Sequence, residues 1–107
     1  MLLENLIREI EDAELPNRDL WLRAGKAVSV EGETFEMKLD GESWIDAALM
    51  LLPAGICPAV GQNCHHFYWH AFARIVRDGE PITVAEGHSN HHGGLAALAM
   101  ALRAHMS

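Results

Sequence analysis

Two short stretches concentrate the side chains that could do chemistry. "NCHHFYWH", Asn63 to His70, holds a thiol, three imidazoles and three aromatics, and "GHSNHH", Gly87 to His92, adds three more imidazoles. Thiolate and neutral imidazole are the preferred ligands of zinc. On a strand, Cys64 and His66 share a face about 7 Å apart, within reach of one ion, while His70 lies about 13 Å further along. A second pair must then come from elsewhere, and the nearer combination is His70 with His88 or His91. Those residues would suit a tetrahedral site, but no known zinc spacing is reproduced. Ordinary surface and interface histidines are the expectation, with no cofactor. A zinc site drawn from Cys64, His66, His70, His88 and His91 is the alternative.

Catalysis has less behind it. A Cys–His nucleophile needs a thiolate, an imidazole beside it and a third group to orient the base, and Cys64 with its neighbours offers only the first two. The chain holds no Gly-rich phosphate loop, HExxH helix or GxSxG elbow. No set of catalytic roles is completed, so an enzyme is not the expectation.

The elements that must position these groups declare themselves by period. Leu3, Leu6, Ile7 and Ile10 recur at helical spacing, with Glu4, Arg8, Glu11 and Asp12 opposite, which predicts an amphipathic helix over 2–14. Asn17 as a cap and Gly25 as a stop mark a second helix over 18–24. Val28 and Val30 alternate with polar neighbours, as do Phe35, Met37 and Leu39, which predicts a hairpin about Glu31-Gly32. "ESWIDAALMLLP" reads as a mostly buried helix that Ser43 can cap and Pro53 ends.

From His65 to Arg77 apolar Phe67, Trp69, Ala71, Ala73 and Ile75 alternate with His66, Tyr68, His70, Phe72, Arg74 and Val76. Asp78-Gly79 is a favoured hairpin loop. Closing it there sets Ile75 opposite Ile82, Ala73 opposite Val84 and His70 opposite Gly87. The second face then carries His66, Tyr68, His70, Phe72 and Arg74 with Thr83 and Ala85, a surface that packs under a helix or meets a partner. The last segment, "GGLAALAMALRAHM", is apolar all round, which predicts a helix buried on two sides or a homodimer contact. Helices at both ends with hairpins between them predict an α+β domain, its sheet covered on both faces.

The chain's 107 residues suffice for one core and a single domain. No apolar run is long enough to span a bilayer, and "MLLENLIREIEDAE" lacks the basic start and apolar centre of a signal peptide, so a cytoplasmic setting is expected. Cys57 and Cys64 form no disulfide framework and are expected as reduced thiols. The formal charge is −7, which disfavours direct nucleic-acid binding and suits a basic protein partner. Glu9, Glu11 and Asp12 contribute to it on one helix.

"LIREIEDAELPNRDL", "DAALMLLPAG" and "AEGHSNHHGGLAALAMALRAH" together resemble, in order, three blocks of the phage ABA sandwich domain family. The chain departs from that family at Trp21, at His92-Gly93 and through the histidine-rich middle. The resemblance implies a phage or prophage protein with an α/β/α sandwich, its mainly antiparallel sheet covered by N-terminal and C-terminal helices. It implies no activity. The expected function is therefore protein binding through His66, Tyr68, His70 and Arg74, with Glu9, Glu11 and Asp12 aiding encounter. The partner would be a host or phage protein such as a nucleic-acid-binding defence effector, which makes an anti-CRISPR or other anti-defence inhibitor the specific expectation. Alternatives are a zinc-binding accessory protein or enzyme using the His/Cys cluster, and a structural phage protein assembling through the last helix.

Overall fold

The computed structural model describes residues 2–63 and 68–106. Helix α1 (Leu2–Asp12) buries Ile7 and Ile10 and half-buries Leu3 and Leu6, the stripe its spacing predicts. Helix α2 (Arg18–Ala27) starts where expected, with the Asn17 side-chain oxygen accepting the Leu20 N–H at 3.0 Å. It does not stop at Gly25. That residue sits inside the helix against the Val30 carbonyl and the Phe35 ring, where a β-carbon would have no room.

The hairpin expected over 28–39 is not formed. The chain turns at Ser29 and enters helix α3 (Glu33–Asp40) instead. Phe35 and Leu39 are buried and Met37 is exposed. A spacing of four fits both two strand repeats and one helical turn, and the exposure of the intervening Met37 marks the helical solution. Helix α4 (Trp44–Leu49) begins after Ser43, whose carbonyl rather than hydroxyl makes the first helical bond, to the Ala47 N–H. Trp21 and Trp44 are core aromatics: their rings lie 4.9 Å apart and Trp21 Nε1 donates to the Trp44 carbonyl at 3.0 Å.

The sheet is antiparallel in the order β1 (Cys57–Asn63), β2 (Tyr68–Arg77), β3 (Glu80–Ser89). Strand β1, with Pro58 and Gly61 and little alternation, carries no strand signal in the sequence. It is an edge strand, where proline is tolerated because no ladder bond need be lost. The β2–β3 loop is Asp78-Gly79 as expected, both residues at positive φ (53° and 81°), the geometry of the primed hairpin turns. Ile75 faces Ile82 as foreseen.

Beyond that point a bulge between Ala73 and Arg74 shifts the register by one. Ala73 faces Ala85 rather than Val84, and His70 faces His88 rather than Gly87. The cause is helix α5 (Gly93–Ala104), which lies directly on this sheet with Ala96, Met100 and Ala104 against Ala71, Ala73 and Ala85. Without the bulge Glu86 and His88 would point at α5 and lose their hydration, a heavy cost for polar groups without partners. With it, Ala85, Gly87 and Ser89 take the inner positions and Val84 is the extra residue.

Helix α5 is buried from Gly93 to Leu102. Its other side, with Leu95, Leu98 and Leu102, packs into the cluster formed with α1, α2, α3 and α4. The apolar flank of the last helix is thus covered within the chain. The α+β class and an antiparallel sheet with helices packed on it agree with expectation. The layers run helix, helix, sheet, and the outer face of the sheet leaves Arg74, Val76, Glu86 and His88 exposed, so the expected cover of both faces is not found among the described residues. One reason is that α5 buries its full circumference and so belongs between two layers rather than outside one.

Candidate functional site

The outer face of the sheet gathers Tyr68, His70, Arg74 and His88 of the groups expected from the sequence. Tyr68, His70 and Phe72 come from alternate positions of β2, and the bulge adds Glu86 and His88 from β3. Ala85, expected on this face, is on the inner one. His70 is central. Its ring lies 4.0 Å from Phe72, 4.2 Å from His88 and 6.0 Å from Tyr68, centroid to centroid. Tyr68 and His88 are 6.1 Å apart. The Arg74 guanidinium stands 5.1 Å from the Phe72 ring centre, extending the row by a cation–π contact. His70 Nε2 pairs with Glu86 Oε1 at 3.1 Å.

On β1 Gly61 stands opposite His70, and with Gln62 and Phe72 these residues line a shallow depression of about 240 Å³. Glu86 and His88 are the residues that the hairpin loop alone misplaced. The signal was present in "AEGHS": small Ala85, Gly87 and Ser89 alternate with polar Glu86 and His88, so the inner face had to be the odd one.

The second histidine stretch is dispersed. His88 is on the outer sheet face, while His91 is exposed in the turn that follows, its N–H bonded to the Ser89 hydroxyl. His92 caps α5, its Nδ1 accepting the Gly94 N–H at 2.9 Å. Cys64 and His66 lie outside the described residues, so the expected zinc ligands in hand are His70 and His88, with His91 apart from their ring stack. Among the described residues no three His, Cys, Asp or Glu side chains converge as they lie. Cys57 is an exposed thiol at the start of β1.

The acidic helix is not a bare charged surface. Glu9 is bridged by both terminal nitrogens of Arg23, at 2.8 and 2.9 Å. These bonds hold its carboxyl below the ordinary carboxylate range. Glu11 accepts from Arg103 at 2.6 and 2.7 Å and also takes the His88 backbone N–H at 3.1 Å. Arg103 in turn donates to the Glu86 carbonyl at 3.0 Å. The Glu11 bonds raise the Arg103 pKa further above its ordinary value. This clamp ties α1, α5 and β3 together and occupies backbone groups of an edge strand that would otherwise invite another strand. Asp12 is exposed.

No helix is long and apolar enough to cross a membrane. No family model, curated protein or solved structure matches this chain.

Proposed function

We propose that this protein acts by binding another protein through the outer face of its sheet. The observation that carries this reading is the row Tyr68, His70, Phe72 and Arg74, flanked by Glu86 and His88, on a face without helical cover among the described residues. Aromatic side chains and arginine supply most of the binding energy at protein interfaces. A row held on paired strands reaches a partner with little further ordering cost. The charge of −7 favours a partner with basic groups.

With the resemblance to phage ABA sandwich proteins, this supports a phage or prophage accessory protein in the bacterial cytoplasm. It would occupy a nucleic-acid-binding defence effector as an anti-CRISPR or other anti-defence inhibitor. Assembly through the last helix has less support, because α5 is covered within the chain.

The test is retention of a partner from nuclease-treated host lysate, followed by binding kinetics with that partner purified. Tyr68→Ala and Phe72→Ala speed its release at unchanged melting temperature, and reversal of Glu9 and Asp12 to lysine slows association at low salt. Release rates indifferent to both sheet variants refute the reading.

A further inference from the structure

We propose that the depression beside Gly61 is the seat for one aromatic side chain of the partner protein. The inference rests on binding through the outer sheet face and names what that face receives.

The seat follows from a step between two strands. The outward positions of β1 are Cys57, Ala59 and Gly61, and directly opposite them on β2 stand Arg74, Phe72 and His70. Small residues thus border a row of large ones, and the surface drops from β2 to the sheet edge. At Gly61, which has no side chain, bare backbone is the floor of the depression, and the His70 and Phe72 rings, 4.0 Å apart, form its wall. His70 is paired on its far side with Glu86 of β3, so the wall is already in place and no group has to move.

Nothing in the fold asks for glycine at that point. Of the nine glycines, three take positive φ, four would meet an atom closer than 3.0 Å on gaining a β-carbon, and Gly41 ends helix α3. Gly61 lies within a strand without positive φ, and nothing stands within 4 Å of such a carbon. Glycine inside a strand weakens it, and often marks a place where a ligand or another chain approaches closely.

The lining selects the occupant. Gly61, Gln62, His70 and Phe72 include no carboxylate, lysine or arginine, so a charged group seated among them would lose water without an opposite charge to receive it. A flat neutral ring lies on the bare backbone and meets two rings, where aromatic pairs gain more than buried area gives. An indole N–H or phenol O–H can also bond the Gln62 amide. Aromatic anchors that fill pockets are the usual centres of binding energy at interfaces.

The test is titration of the full-length protein with indole, followed by backbone amide chemical shifts. The proposal expects saturable shifts centred on Gly61, Gln62, His70 and Phe72, with a Kd in the millimolar range that ligand efficiency allows so small a probe. Cyclohexanol and methylguanidinium, an aliphatic ring and a cation, should bind more weakly. Gly61→Val should weaken indole at least about tenfold, as overpacking a filled site does. Gly61→Ala should weaken it by a smaller factor, and thermal melts of both variants separate a filled seat from a lost fold. No shifts up to the solubility limit of indole, equal affinity for either comparison probe, or indole binding that survives Gly61→Val overturns the assignment. Because the titration uses no partner, it separates loss of the seat from loss of the protein-binding reading, which fails instead if Tyr68→Ala and Phe72→Ala leave partner release unchanged.

Discussion

Gly87→Ala tests the contact that sets the outer face. A β-carbon at Gly87 would stand 2.1 Å from the Ala96 carbonyl oxygen and 2.5 Å from the Met100 backbone nitrogen. Both obstacles are main chain of the buried helix α5, so no side chain can swing aside. Heavy atoms in contact rest about 3.5–4.0 Å apart, so helix and sheet must separate by more than 1 Å or the strand must twist. Overpacking costs about 1–3 kcal/mol, and more where the backbone moves. The upper value applies here, and about 3 kcal/mol in a domain of this size lowers the melting temperature by about 12–24 °C. Gly61→Ala is the control: it lies in the same sheet with nothing within 4 Å of its added carbon, and should change stability by no more than about 0.5 kcal/mol. Thermal melts and urea midpoints of the two variants measure the difference. Equal, small effects would show that α5 does not press on β3 at Gly87. The reason given for Glu86 and His88 facing outward would then fail.

The clamp and the acid pair give two further expectations. Glu11→Ala leaves Arg103 and the His88 N–H without their shared acceptor, and should cost about 1.5–3 kcal/mol, the range for hydrogen bonds to charged groups. Hydrogen exchange at the His88 amide should quicken in the same variant, and an unchanged rate would count against the clamp. For Glu9, Arg23 lowers the carboxyl pKa in the folded protein. Its contribution to stability is complete above the unfolded pKa and is lost as pH falls through the lower folded value. Arg23→Ala should therefore return the Glu9 carboxyl to the ordinary range in an NMR titration and flatten the acid limb of stability against pH; a titration identical to the parent would sink this.

Helix α1, the Asn17 cap, the Asp78-Gly79 turn and the burial of the last helix were legible because each rests on neighbours in sequence. A stripe, a side-chain oxygen three residues from an N–H, two residues suited to positive φ and an unbroken apolar segment need no distant partner to be recognised. The segment 28–39 reads as a hairpin for a related reason: Phe35 and Leu39 satisfy two periods at once, and local spacing alone does not choose between them. Strand β1 was invisible because, as an edge strand with Pro58 and Gly61, it carries little of the alternation that marks burial.

The candidate site divides in the same way. That β2 sets Tyr68, His70, Phe72 and Arg74 on one face is readable from their spacing alone, since alternation follows from strand geometry. Which residues of β3 would join them was decided by tertiary structure. A turn sets register only near itself, and five residues later, at Val84, the buried face of α5 outweighs it. The backbone of α5 approaches so closely that a glycine must stand beneath it, and one extra residue in the strand costs less than burying Glu86 and His88.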